Sequence, residues 1–184
     1  HDTVIFYLQN KKKLIYNDVR KFGFIKLIKK EKFYDNFHLK KLGPEPLNKK
    51  FSFIYLKNYI RGRKRIIKNI LMDQTCVGGL GNIYVNEILF KSKVNPNKGV
   101  EKLSDFEISK IVKNTKKILK NSISLGGSSI KNFSSGDGKR GDFQQNFYVY
   151  GKKGEKCSNI DCNENIIRTT ISNRATFFCK KCQK

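Results

Sequence analysis

Four cysteines near the end of the chain constrain its folding more than any other feature. Cys157 and Cys162 form a C-x4-C pair, and Cys179 and Cys182 form a C-x2-C pair. Two short-spaced pairs, each on a turn, can bring four thiolates to one tetrahedral zinc ion. The stretches Ile166–Ile171 and Ala175–Phe178 between the pairs favour strands and suit a metal-bound β-hairpin. Two disulfides in a secreted domain are the alternative. The basic ending K-K-C-Q-K and the lack of other secretory features weigh against it. Cys76 stands apart and reads as a buried, small apolar residue.

Charge narrows the partner. The formal net charge is +24 over 184 residues, far beyond what solubility needs, and it implies nucleic acid or an anionic membrane face. Apolar residues make up 38% of the chain and aromatics 12%, enough for a packed core, so a disordered basic tail is excluded. The apolar runs are too short for a transmembrane helix.

The pattern along the chain predicts a mixed α/β protein in three parts. Strands are expected at Thr3–Leu8, Leu14–Tyr16 and Phe22–Ile28, forming a partial sheet domain over residues 1–42. The L-G-P-E-P-L stretch at 42–47 marks a boundary. A helical module over 43–143 follows, with helices at Phe51–Ile60, Ile66–Asp73, Ile83–Phe90 and from Ser104 to Gly126-Gly127. Ser104 and Glu107 form a capping box, and Ile108, Ile111, Val112, Ile118 and Leu119 share one face of that last helix. Residues Ser128–Gly141 read as a mobile loop, and Gln145–Tyr150 as a strand entering the zinc module, 144–184.

Between Met72 and Asn82, glycines 78, 79 and 81 allow an elbow with positive φ and close approach to a partner. The N–H groups opening the next helix suit a phosphate, and Asn82 adds a donor. The neighbouring basic cluster Arg61–Lys68 favours that reading over a plain tight turn.

The segments L-M-D-Q-T-C-V-G-G-L-G-N-I-Y-V-N-E (71–87), L-G-P-E-P-L, N-D-V-R-K-F-G (17–23) and R-A-T-F-F-C-K-K-C-Q (174–183) resemble the formamidopyrimidine-DNA glycosylases. These are bacterial base-excision repair enzymes. The R-K-F-G loop and the G-N-I-Y continuation separate the chain from the related endonuclease VIII branch. The resemblance implies an α+β fold: a remnant of an N-terminal β-sandwich, a helix–two-turn–helix module and a C-terminal zinc-finger hairpin holding one structural Zn2+. It further implies excision of 8-oxoguanine and formamidopyrimidines from damaged double-stranded DNA, with AP lyase activity. A cytoplasmic, nucleoid-associated monomer away from membranes is expected when the protein is complete.

Residue by residue, the resemblance makes His1, Arg20, Lys64 and Asn82 DNA contacts, with Lys68 a further phosphate contact. Arg20 would enter the gap left by the flipped base, and Phe22 would wedge beside it. Arg174 would bind the phosphate flanking the lesion and assist elimination. The loop Ser128–Phe143, with Lys139, resembles the lesion-capping loop, departing from it at Arg140 and Asp142. The family's nucleophile is an N-terminal proline followed by glutamate, whereas this sequence opens His1-Asp2. The expectation is therefore a chain that lacks the nucleophile and most of the sheet domain, binding DNA without efficient catalysis. A basic zinc-containing nucleic-acid-binding module without catalysis is the alternative.

Overall fold

The computed structural model describes residues 2–18, 21–33, 35–128 and 141–184. The chain divides into two compact units, His1–Lys40 and Lys41–Lys184. In the first, β1 (Asp2–Tyr7) and β2 (Lys13–Asn17) pair antiparallel in the register Ile5↔Ile15 and Phe6↔Leu14. Lys11, at φ 61°, and the bond from Lys12 N–H to Asn10 Oδ1 (3.1 Å) close the turn between them. A short helix, α1 (Phe37–Lys40), ends the unit.

The strand expected at Phe22–Ile28 does not form. Among the described residues β1 and β2 pair only with each other, and Leu27 is 99% exposed. Strand-favouring side chains specify a pleated surface, but a strand also needs a neighbouring ladder for its N–H and C=O groups.

The second unit is built on helices with identifiable starts. Ser52 caps α2 (Phe53–Ile60) by accepting from Tyr55 N–H at 3.2 Å. Helix α3 (Ile67–Met72) leads through a long turn to α4 (Asn82–Ser92), and α5 (Asp105–Ser124) starts from the expected Ser104/Glu107 capping box. Gly126 and Gly127, both at positive φ, terminate it. The apolar stripe of α5 packs against α2 and α4 in a core that includes Leu56, Ile70, Leu71, Val85, Ile88 and Ile111. No helix among the described residues is long and apolar enough to cross a membrane.

The elbow between α3 and α4 is held by side chains more than by glycine freedom. Asp73 Oδ1 accepts from Thr75 N–H (3.0 Å) and its hydroxyl (2.7 Å). Gln74 Oε1 accepts from Gly79 N–H at 2.7 Å, while Gln74 Nε2 donates to the Leu80 carbonyl at 2.9 Å. Of the three glycines only Gly79 adopts positive φ, at 90°; Gly81 is the extended cap residue, at φ −111°. The L-G-P-E-P-L connector is stitched to the same elbow, since Gly43 N–H donates to the Gln74 carbonyl and Gly78 N–H to that of Pro44. A Cβ on Gly43 would run into the backbone of Thr75 and Cys76, which accounts for glycine there.

A second, smaller core brings Phe90 of α4 together with Val149, Ile166, Phe177 and the cysteines Cys157, Cys162 and Cys179. Strands β3 (Ile167–Ile171) and β4 (Arg174–Phe178) form the expected hairpin. Its two-residue turn, Ser172-Asn173, has both residues at positive φ, the geometry that matches strand twist. Gln145–Tyr150 is not a strand. Phe143–Asn146 winds into a 3-10 turn, and the backbone N–H groups of 148–150 go to a helix side chain instead of a ladder.

Candidate nucleic-acid interface and metal centre

The four cysteine sulfurs lie within 4.8 Å of one another, with Cys157 Sγ 3.8 Å from Cys182 Sγ and Cys162 Sγ 3.6 Å from Cys179 Sγ. Metal–sulfur bonds of about 2.3 Å in a tetrahedron put the sulfurs about 3.8 Å apart, so the set fits one metal ion. All four thiols are free, and the close approaches join one member of each pair to a member of the other. Separations of 3.8 and 3.6 Å are far beyond the roughly 2 Å of a disulfide bond and suit a shared ion. Burial pushes the Cys157 thiol up to about 12, whereas the Glu164 backbone N–H lowers that of Cys162. A bound cation would draw off the remaining protons. Gln183, buried, accepts from Cys179 N–H (3.0 Å) and donates to the Val94 carbonyl (2.9 Å), tying the second cysteine turn to the end of α4.

Next to this hairpin, the helices present a cluster of donors. Lys68 of α3, expected as a phosphate contact within the basic cluster Arg61–Lys68, is only 1% exposed. Its ammonium donates to Thr176 Oγ1 (2.5 Å) and the Ala175 carbonyl (3.3 Å). Asn82 Nδ2, at the start of α4, donates to the same carbonyl at 2.9 Å. Asn69 exchanges hydrogen bonds with Ser172 Oγ at the hairpin tip (3.0 and 3.1 Å). Exposed Arg174 completes an open pocket of about 260 Å³ lined also by Arg65, Lys68, Asn69, Asp73 and Ser172. Burial, and then the Arg174 charge, lower the Lys68 pKa from 10.5 to about 8. The pocket is thus cationic and short of counter-charge.

The rest of the basic cluster is divided. Arg63 stacks on the Tyr59 ring (4.3 Å) and donates to the Tyr59 carbonyl, and Arg65 pairs with Asp73 at 2.8 Å. Lys64 is exposed in the loop between α2 and α3. In the first unit Phe22 is 81% exposed, on a loop organised by Asp18, which accepts from Gly23 N–H through Oδ2 (2.6 Å) and from Lys21 N–H through its carbonyl. His1, Arg20 and Lys139 lie outside the described residues, as do 129–140 of the proposed capping loop. The described base of that loop is pinched by a bridge between Ser128 and Asp142.

Three residues that matter to this architecture are missed by sequence reasoning: Gln74, Asn86 and Glu87. A signal for the last two exists. They interrupt the apolar run Val85–Phe90, and a helix apolar all round is a buried one whose polar side chains must find partners inside.

Two helices meeting at an elbow, with the second helix butted against a four-cysteine hairpin, define a helix–two-turn–helix protein with a metal-binding finger. Residues 42–134 match the family model of the formamidopyrimidine-DNA glycosylase H2TH domain. The whole chain is 42% identical to the formamidopyrimidine-DNA glycosylase of Rickettsia massiliae and spans 64% of that protein's length. The crystal structure of MutM (Fpg) from Thermus thermophilus matches all of this chain and 68% of its own, with a TM-score of 0.92 at 30% identity. The complex of Lactococcus lactis Fpg with abasic-site DNA matches 94% of this chain and 62% of its own, with a TM-score of 0.85 at 41% identity. The chain belongs to the formamidopyrimidine-DNA glycosylase family.

Proposed function

We propose that this chain grips damaged double-stranded DNA on behalf of a base-excision glycosylase with AP lyase activity toward oxidised purines. The observation that carries this reading is the convergence of the Lys68 ammonium and the Asn82 amide on one carbonyl, Ala175 O, beside the exposed guanidinium of Arg174. Each donor group keeps a further N–H hydrogen. The first N–H groups of α4 also lack acceptors within the helix, so a phosphate there meets several donors and two cations. Arg174 would take that phosphate and assist elimination, and His1, Lys64 and Lys139 would add contacts along the backbone. Arg20 and Phe22 would fill the gap of the flipped base; the exposure of Phe22 supports the wedge. One Zn2+ on Cys157, Cys162, Cys179 and Cys182 would hold the finger.

A duplex carrying a tetrahydrofuran abasic analogue should bind more tightly than its intact counterpart, and both affinities should fall steeply with salt. Equal affinity for abasic and intact duplexes would favour the non-catalytic binding module.

The site should also be sensitive to pH. An anion stabilises the charged form of Lys68, so binding takes up a proton when the free site has lost it. With the free pKa at about 8, affinity should be full below that value and fall as pH rises through it. The loss between pH 7 and pH 9 is about tenfold if the neutral amine contributes nothing. Lys68→Met should flatten the profile. A wild-type profile equally flat over that range would remove Lys68 from the binding step.

A further inference from the structure

We infer that Asn86 is a positioning residue that sets where Arg174 and Asn82 stand relative to a bound phosphate; this rests on the DNA-binding reading above. In the β3–β4 ribbon, Ala175 and Phe177 turn their backbone groups away from β3, leaving β4 with an outer edge. Such an edge would ordinarily take a further strand. Here helix side chains occupy it. Lys68 and Asn82 take the Ala175 carbonyl, and Asn86 Oδ1 accepts from the buried Phe177 N–H at 2.7 Å.

Asn86 does more than cap one group. Its Nδ2 donates to the Asn82 carbonyl at 2.6 Å, so a single amide, 2% exposed, ties the first residue of α4 to the strand that begins with Arg174. Lys68 and Asn82 both act as donors to a carbonyl, whereas the Asn86 oxygen reads an N–H of β4. The combination of donors and acceptor fixes the strand's register. A slip of two residues would satisfy the β-ribbon's own pattern but move Arg174 by about 7 Å, out of reach of the pocket.

The test measures binding of a fluorescein-labelled duplex with a tetrahydrofuran site by the full 184-residue chain in its metal-loaded form. Asn86→Ala should weaken binding by about tenfold, because the buried Phe177 N–H loses its acceptor and the strand is no longer pinned. Asn86→Asp keeps that acceptor but loses the donor to the Asn82 carbonyl and sets a carboxylate oxygen against it, so it should also weaken binding by about tenfold. The decisive comparison is Asn86→Ala in an Arg174→Ala background, where its effect should shrink to about threefold or less, since Arg174 is gone and only the placement of Asn82 remains. Metal stoichiometry and helical circular dichroism check that each variant is folded. Should Asn86→Ala fail that check, Asn86→Asp carries the test in the wild-type and Arg174→Ala backgrounds, and wild-type affinity or full additivity there overturns the inference. It is overturned equally by wild-type affinity in Asn86→Ala or by full additivity with Arg174→Ala. Absence of binding by the wild-type chain would instead sink the DNA-binding reading, and this inference with it.

Discussion

Stripping the metal from the four-cysteine site with a chelator is expected to cost at least about 100-fold in affinity for an abasic duplex while leaving α2–α5 folded. Structural zinc sites in small fingers supply folding free energy outright, on the order of 10 kcal/mol. The hairpin has little else. Its core consists of Phe90, Val149, Ile166 and Phe177 around three of the cysteines themselves. Without the ion, three buried thiols face one another in place of a bonded centre, and β4 loses the support that holds Arg174 beside Lys68. The helices have a separate, larger core running from Phe51 to Phe147 and containing none of these four cysteines. Far-UV circular dichroism should therefore keep its helical signal while the gel shift is lost, and restored zinc should recover both affinity and one metal per chain. Cys179→Ser, at a fully buried position, should behave like the chelated protein. Undiminished DNA affinity in the metal-free protein would show that the finger plays no part in binding.

Glu87→Ala is expected to produce a large loss of stability. Glu87 is 1% exposed, and its carboxylate accepts three backbone N–H groups: Tyr148 at 2.7 Å through Oε2, and Val149 at 3.0 Å and Tyr150 at 2.8 Å through Oε1. Burial raises its pKa overall, although the three N–H donors and Lys152 pull the other way. Truncation strands three donors in the interior and opens a cavity, which together cost about 3–5 kcal/mol. For a chain of this size that is a fall of roughly 10–15 °C in Tm. Glu87→Met, close in volume, separates the causes: it should lose nearly as much as the alanine variant if the hydrogen bonds dominate. A drop below about 1 kcal/mol in Glu87→Ala would mean that segment 148–150 is held by its apolar contacts alone. The position also explains why Gln145–Tyr150 is no strand. Its N–H groups are claimed by a helix, so the strand-favouring aromatic residues Phe147, Tyr148 and Tyr150 serve as packing instead.

What the amino-acid sequence alone determined about this protein is whatever depends on neighbours along the chain. Ser104 and Glu107 cap α5 because they stand three residues apart. Ile108, Ile111, Val112 and Ile118 are buried because helical spacing puts them on one face. The cysteine spacing likewise sufficed to bring four sulfurs together, since each pair sits on its own short turn. Tertiary structure alone decided the fate of charged and polar groups whose partners lie far away in sequence. The basic cluster Arg61–Lys68 gives no sign that Lys68 alone is buried until β4, over a hundred residues later, supplies Thr176 and Ala175. Asn86 and Glu87 find their partners at 177 and at 148–150. Phe22–Ile28 has strand composition but no ladder. A buried polar group costs free energy unless it is paired, so the fold that supplies the pair, rather than the residue's own propensity, decides whether it lies inside or out.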